Sequence, residues 1–514
     1  MEEKILEKLE NWAEPLNKEL NLDGIPLWAF YRQMFLTNNF PNRLFNYSVK
    51  NLQRSLKKNE PKNKRATSYL TRKAIISNET IKRNLRKNKI RTENKEPKIL
   101  FYTQTDKITN GKVKKIGNVL EEVKKQNLGE TFILSYEPIE KNSRLNISKQ
   151  DHMIYEYLTK DILKKTGEQA RELNNKWEKI PEEKKISLLN LDGKSLYPFI
   201  KEELNFLFSR EFLHTLLVYY NAHKKILKEE NIKLVCSIGA GSFYAKTLYA
   251  AANVLNIPTL ITQHGICFGF MENKILNNTN FAVFGEYSKK ELGEWEINEK
   301  NITITGASLF DEIIPIMENK EKEENLITIL TDGFYIYGLV DKKEYFNTIK
   351  KWINEIQKIK NLKVIIKPHP EEKEHLAEYR ELIKDFDNIK LLETKSKEEL
   401  YKLISKSKLI VNFGSTVALE SMILDKPIIT ITNFHNSKIV EFERVIKRIV
   451  DSGASVNVKK EEDISIPISQ IIENKDLQNK LKEKRDRFVK DSCYIIDGKS
   501  SQRTAEMIKK ILDT

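Results

Sequence analysis

Short apolar runs and amphipathic stretches alternate along most of the chain. KILFYT (98–103), TFILSY (131–136), KLVCSI (233–238), TLIT (259–262), FAVFG (281–285) and ITITG (302–306) have the length and β-branched content of buried strands. Helical patterns lie between them, among them KKIGNVLEEVKKQ and FYAKTLYAAANVLN, the latter stopped by Asn256 and Pro258. Residues 145–230 interrupt this rhythm with long helical stretches, the strongest running from Tyr197 to Leu227 with a broad apolar face. A charged linker, MENKEKEE (317–324), precedes a second alternating set: LITILTDG, KVIIKPHP, IKLLE, LIVNFGS and PIITI as strands, each followed by a helix. Strand–helix alternation of this kind predicts a parallel sheet with helices on both faces. Two sets with a charged joint predict two Rossmann-like, doubly wound α/β domains whose ligand loops lie at the carboxyl ends of the strands.

Ahead of residue 98 the texture differs. Residues 1–40 have apolar positions at helical spacing (Ile5, Leu9, Trp12, Leu16, Leu20), broken at Gly24 and Pro26 before an aromatic-rich helix. Residues 41–98 hold 18 Lys and Arg against 4 Asp and Glu, so nearly all of the net charge of +15 sits in this one segment. The rest of the chain is close to neutral. The domain reading is therefore a helical, basic extension over 1–97, a first Rossmann-like domain with a helical insertion over 98–316, a second over 325–470, and C-terminal helices over 471–514 that cross back to the first domain. Three widely spaced cysteines (Cys236, Cys267, Cys493) fit neither a disulfide framework nor a zinc site. No run of about 18 apolar residues is present and the N-terminus lacks a signal-peptide pattern, so a cytoplasmic protein is expected.

Candidate chemistry collects where strands end. Gly414-Ser415-Thr416 opens a helix, and free N–H groups with a helix dipole make an anion site there. An ordinary N-cap is the plain alternative, worth about 1 kcal/mol. Glu420, one turn on, reaches a ribose or sugar hydroxyl or is solvated. Lys367-Pro368-His369-Pro370 fixes a histidine between two prolines, where it can donate to a phosphate, with Lys367 adding charge. Gln263-His264-Gly265 presents a second imidazole, suited to act as general base toward an acceptor hydroxyl. Asp332-Gly333 closes the first strand of the second domain, and Gly241-Ser242 belongs to the matching turn of the first. P-loop and intact GxGxxG patterns are absent, the latter because Tyr244 stands at the third glycine. Asp385-Phe386-Asp387 precedes a strand and lies at the wrong sheet edge for a metal site.

The ordered motifs TQHG, VFGEYSKKEL, ITITGASLFDEI, IIKPHPEE, NFGSTVALESMILDKPIITI and IDGKSSQR resemble those of GT-B glycosyltransferases of surface-polysaccharide synthesis. That neighbourhood includes capsule synthesis proteins, bacterial polysialyltransferases and CDP-glycerol glycerophosphotransferases. The resemblance covers about residues 230–510. It implies a GT-B fold, two Rossmann-like domains facing across a cleft. It implies a metal-independent glycosyltransferase that moves a sugar from a nucleotide-sugar donor to a surface-glycan or lipid-linked acceptor, with no cofactor beyond that donor. His369, Pro370, Ser415 and Thr416 would hold the nucleotide and its phosphates, joined by Lys367, Gly414, Glu420, Gly333 and Asp332. His264 would be the catalytic base, and Gly241, Ser242 and Gln263 would lie on the acceptor side. The acidic-acidic-glycine motif of sialyltransferases is represented only by Thr331-Asp332-Gly333. A polyol-phosphate transferase and a UDP-sugar 2-epimerase share the fold. An epimerase needs further acid/base carboxylates in the cleft, which the sequence does not place. The basic segment 41–98 fits an anionic membrane surface at the inner face of the membrane, or a solvated linker; nothing points to nucleic acid.

Overall fold

The computed structural model describes residues 96–514 apart from 105–107, 110–111, 114, 137–150, 189, 192–193, 196, 240–242, 267–278, 296, 320–321, 337–339, 395 and 433–439. The N-terminal extension and nearly all of the basic segment lie outside the described residues.

Residues 98–304 build a seven-stranded, wholly parallel sheet from β1 (Lys98–Gln104), β2 (Glu130–Tyr136), β3 (Asp151–Met153), β4 (Ile232–Ser237), β5 (Thr259–Thr262), β6 (Thr279–Val283) and β7 (Ile302–Ile304). Its order is β7-β6-β5-β4-β1-β2-β3. α1 (Gly117–Lys125) covers one face, where Val119, Leu120 and Val123 meet Ile99 and Phe101. On the other face α2 (Lys160–Lys179), α3 (Arg210–Glu229) and α4 (Phe243–Val254) pack through Leu173, Trp177, Leu216, Leu217 and Tyr249. The helical stretch expected from Tyr197 to Leu227 is two helices. Ser209 takes an extended backbone and its hydroxyl accepts from Phe212 N at 3.3 Å, starting α3 afresh after a helix over Tyr197–Leu207.

Residues 326–459 form the second sheet from β8 (Leu326–Leu330), β9 (Lys363–Lys367), β10 (Ile389–Leu391), β11 (Leu409–Asn412), β12 (Ile428–Thr432) and β13 (Val456–Lys459), all parallel, in the order β10-β9-β8-β11-β12-β13. Every residue of β8 and β11 is buried, as parallel strands covered on both faces require. α6 (Lys342–Ile356) and α7 (Leu376–Ile383) cover one face through Tyr345, Trp352 and Tyr379. α8 (Lys397–Lys406), α9 (Thr416–Ile423) and α10 (Val440–Asp451) cover the other through Tyr401, Leu419, Met422 and Ile449. Both sheets thus run outward in both directions from their first strand, the doubly wound order. The protein has the two-domain α/β architecture of the GT-B fold.

The domains share an apolar seam in which Ile266, Phe284, Phe310 and Ile313 of the first pack with Tyr401, Ile404 and Leu419 of the second. α5 (Glu286–Glu294) follows β6 in the first domain, and α11 (Lys475–Cys493) packs on both α9 and α5. It passes so close to the start of α5 that a Cβ on Gly285 would lie 2.6 Å from Asp491 O. α12 (Ser500–Asp513) then enters the first domain, where Ala505, Met507 and Ile508 join the core beside α1. Its first turn is held by the Asp311 carboxylate, which accepts from Ser500 N at 3.1 Å and Ser501 N at 2.8 Å. Among the described residues no helix is long and apolar enough to cross a membrane.

Asp311→Ala removes an anion from a helix N-terminus and leaves two N–H groups unpaired. It is expected to cost about 2 kcal/mol, read as a fall in denaturant midpoint with unchanged slope.

Candidate functional site

In the second sheet Leu330 lies opposite Lys367, and Ile329 opposite Val411. The turns after β8, β9 and β11 therefore leave the sheet at one level. After β8 the chain turns to the α6 face, and after β11 to the α9 face. The strand order reverses between these two, which opens a crevice where α/β folds bind ligands. Asp332, Gly333, Pro368, His369, Gly414, Ser415 and Thr416 all sit on these three turns.

Ser415 occupies the N-cap position of α9, yet its side chain makes no capping hydrogen bond. The Asp332 carboxyl lies across the crevice, close enough for the Ser415 hydroxyl to favour its ionised form. The helix keeps its positive end without a serine cap, while Ser415 and Thr416 remain half-buried. Gly414 has φ +91°, a left-handed conformation, and a Cβ there would fall 2.4 Å from Ile446 Cγ1 of α10. Its N–H donates to Asn412 Oδ1 at 2.7 Å.

Asp332 is buried, and that burial pushes its carboxyl up to about 7. The hydroxyl of Ser415 opposes this rise and the neighbouring Glu372 carboxylate adds to it. Because the folded state holds this proton more tightly than the unfolded chain, the group's contribution to stability falls as pH rises from the ordinary carboxyl range through about 7. Glu420 is likewise buried, not solvated, and its pKa is raised by burial, with Lys397, the Tyr401 hydroxyl and Lys367 acting in the other direction. Its Oε1 accepts from Tyr401 OH at 3.2 Å. Sequence reading named both residues as nucleotide contacts; their raised pKa values add acid/base character that it did not assign to them.

His369 begins a 3-10 turn (Pro370–His375), with Pro370 exposed at its first position. Its Nδ1 accepts from Glu371 N at 3.3 Å, which puts the ring proton of the neutral form on Nε2, a donor. Beneath it Glu372 is fully buried. Its Oε2 accepts from His369 N at 2.8 Å and from the Thr331 hydroxyl, and its Oε1 from Tyr379 OH at 2.6 Å. Gly333, at φ +62°, has its N–H on Tyr345 OH at 3.3 Å, and a Cβ there would meet Glu372 Cγ at 2.9 Å. One carboxylate thus ties the His369 turn to the Thr331–Gly333 turn. Sequence reading missed Glu372, Tyr345 and Tyr379; the signal for Glu372 was its place three residues after His369, the reciprocal capping spacing. Lys367 is turned inward, its Nζ on Pro368 O at 2.9 Å and its pKa lowered by burial.

On the first domain His264 is exposed, with Nδ1 2.7 Å from Ile238 O. A carbonyl can only accept, so neutral His264 carries its proton on Nδ1 and a lone pair on Nε2, as a general base requires. Gln263 is spent on structure: its Oε1 accepts from Phe284 N at 2.7 Å and its Nε2 donates to Gly265 O at 2.8 Å. This places it as a clamp between two turns, and its amide is not directed at an acceptor. Gly241 and Ser242 lie outside the described residues. Arg448 joins the two halves: Nη1 donates to Ile266 O at 2.6 Å, Nη2 to Ser492 Oγ at 2.7 Å, and the guanidinium lies 3.2 Å from the Tyr287 ring centroid. Among the described residues no group of three or more His, Cys, Asp or Glu could hold a metal ion.

The family model described as UDP-N-acetylglucosamine 2-epimerase matches residues 278–509, somewhat under half of the chain. The UDP-N-acetylglucosamine 2-epimerase of Methanocaldococcus jannaschii is 28% identical over 158 residues, which are 28% of this chain and 43% of that protein. The chain thus spans less than half the length of this curated relative. Among solved structures, UDP-GlcNAc 2-epimerase from Neisseria meningitidis bound to UDP-GlcNAc is similar over 80% of this chain and 99% of its own, at 15% identity and a TM-score of 0.48. The wall teichoic acid polymerase TagF is similar over 88% of this chain and 98% of its own, at 11% identity and a TM-score of 0.46.

Two substitutions probe this architecture. Glu372→Ala removes the carboxylate that accepts from the Thr331 and Tyr379 hydroxyls and the His369 N–H, leaving the latter two only the Thr331 and Tyr345 hydroxyls, and should cost about 3 kcal/mol in chemical unfolding. Gly414→Ala should lower the melting temperature in a thermal unfolding scan, because a Cβ there meets Ile446 and distorts the turn that carries Ser415.

Proposed function

We propose that this chain binds a UDP-sugar at the crevice between β8 and β11 and inverts the configuration at C2 of a UDP-N-acetylhexosamine. The family match supports this reading, since it spans the whole second sheet and with it every turn of the crevice. The observation that carries it is a buried carboxyl, Asp332, which burial pushes up to about 7, on the turn facing the uncapped start of α9 at Ser415. The helix end and the His369 Nε2–H suit the nucleotide's phosphates, and the carboxyl suits proton exchange near neutral pH.

C2 of such a sugar carries a hydrogen that no adjacent carbonyl acidifies. Inversion becomes accessible when the C1–O bond to the nucleotide breaks, the nucleotide leaving with the bonding pair, and a base takes the C2 hydrogen. This leaves a 1,2-unsaturated sugar. A proton then returns to the other face of C2 and the nucleotide to C1. The balance needs no oxidant and no resident cofactor. Asp332, Glu420 and His264 are the acid/base groups the two domains contribute to this reading.

A second reading is transfer of the sugar to a hydroxyl of a surface glycan or lipid-linked acceptor. It is favoured by the exposed His264, whose Nδ1 bond to Ile238 O leaves the lone pair on Nε2, and by the first domain's strands β1 to β5, which lie outside the family match.

Incubation of the full chain with UDP-N-acetylglucosamine in D2O, without acceptor, tests the first reading. Deuterium at C2 and appearance of the C2 epimer, followed by NMR, are expected. A bound donor that keeps its C2 hydrogen through many hours would overturn epimerisation and leave transfer. In either chemistry His264→Ala should lower turnover about 100-fold or more while UDP affinity is retained.

A further inference from the structure

We propose that Arg448 is a positioning residue: reaching from the second domain, it fixes the backbone of the His264 turn on the first, and α10 ties that turn to the one that carries Ser415. This rests on the reading of His264 as an acid/base group facing a UDP-sugar, and deepens it.

The His264 ring is held by Nδ1 on Ile238 O at 2.7 Å. Where its Nε2 lies then depends on the backbone of residues 263–266. Three side-chain bonds fix that backbone. Gln263 Oε1 accepts from Phe284 N at 2.7 Å, and Gln263 Nε2 donates to Gly265 O at 2.8 Å. Arg448 Nη1 donates to Ile266 O at 2.6 Å. The first two are made within the first domain. The third comes from the second domain, and it is the one carried by a cation, which strengthens it. The Ile266 side chain is itself buried in the seam between the domains.

The guanidinium is in turn locked from several sides. Its Nη2 donates to Ser492 Oγ of α11 at 2.7 Å. Its carbon lies 3.2 Å from the Tyr287 ring centroid on α5 and 5.1 Å from that of Phe488 on α11. A planar fork that bonds two acceptors while resting on an aromatic ring is a task for arginine, and lysine cannot reproduce it.

α10 extends this bond to the donor side. Ile446 and Arg448 are two residues apart, so they project about 200° apart, from nearly opposite sides of the helix. Ile446 packs on Gly414, where an added Cβ would fall 2.4 Å from its Cγ1. Ile449 is fully buried in the seam cluster. A shift of α10 against the Ser415 turn is therefore felt at Ile266 O. The helix keeps the two turns at one separation, and a displacement of about 1 Å between reacting groups can cost about 100-fold in rate.

The test compares the full wild-type chain with Arg448→Met, which keeps an apolar stem for Tyr287 and Phe488 but has no donor. Amide hydrogen exchange over residues 259–266, read by mass spectrometry, should quicken about tenfold. C2 deuteration of UDP-N-acetylglucosamine should slow about 100-fold, while UDP affinity in calorimetry stays within about threefold. Arg448→Lys keeps the charge without the fork, should lose about tenfold in turnover, and serves alone if the methionine variant does not fold. Ser492→Ala spares the Ile266 bond and should turn over within about threefold of the wild type. Wild-type turnover in an Arg448 variant, UDP affinity falling in step with turnover, unchanged exchange over 259–266, or a Ser492→Ala loss as large as that of Arg448→Met overturns the role. A wild type that binds UDP but leaves C2 unexchanged sinks epimerisation alone, and amide exchange over 259–266 then decides the role by itself. A wild type that binds no UDP overturns the donor-site reading and the positioning role with it.

Discussion

A single constraint organises the crevice: the turns that carry Asp332 and Ser415 leave adjacent strands in opposite directions and open a gap between them. The doubly wound order makes the gap, because β8 feeds a helix on one face and β11 a helix on the other. Flush strand ends bring the third turn, that of His369, to the same level. Once these turns are fixed, the polar groups beneath them must be satisfied without water. Glu372 does this with a carboxylate that accepts from two hydroxyls and one backbone amide. The site is therefore a polar layer resting on the Glu372 network.

The second constraint is the seam between domains. α10 has contacts in both directions: Ile446 fills the space over Gly414, and Arg448, two residues on, reaches the Ile266 carbonyl just beyond His264. α11 lies against α9 and α5. The two halves of the proposed site are thus joined through side chains and not only through the connecting loop.

Much of the fold was legible because its strands are continuous apolar runs and their connections carry turn chemistry. LITIL, KVIIK and LIVN are each short, buried and closed by a polar or glycine turn, so their positions and the sheet edge could be read directly. The break at Ser209 was hidden because the apolar face continues through it, and only the cap geometry separates the two helices. Site residues divided in the same way. Gly414, Ser415 and His369 stand in turns with a local signature. The direction of their side chains is a tertiary fact: Ser415 reads as a cap and makes no capping bond, Lys367 reads as a phosphate ligand and folds back on Pro368, and Gln263 reads as acceptor-facing and bridges two turns. Glu420 looked exposed because helix periodicity does not reveal that α8 covers it.

The final helix completes a core that began four hundred residues earlier in the chain. Ala505, Met507 and Ile508 lie with Ile99, Phe101 and Val119 in one apolar cluster. During synthesis the second domain has all of its strands and covering helices in hand first. The domain that is made first meanwhile waits with one face of its sheet incompletely covered until residues 500–513 have been translated. Order of manufacture and order of completion are therefore reversed.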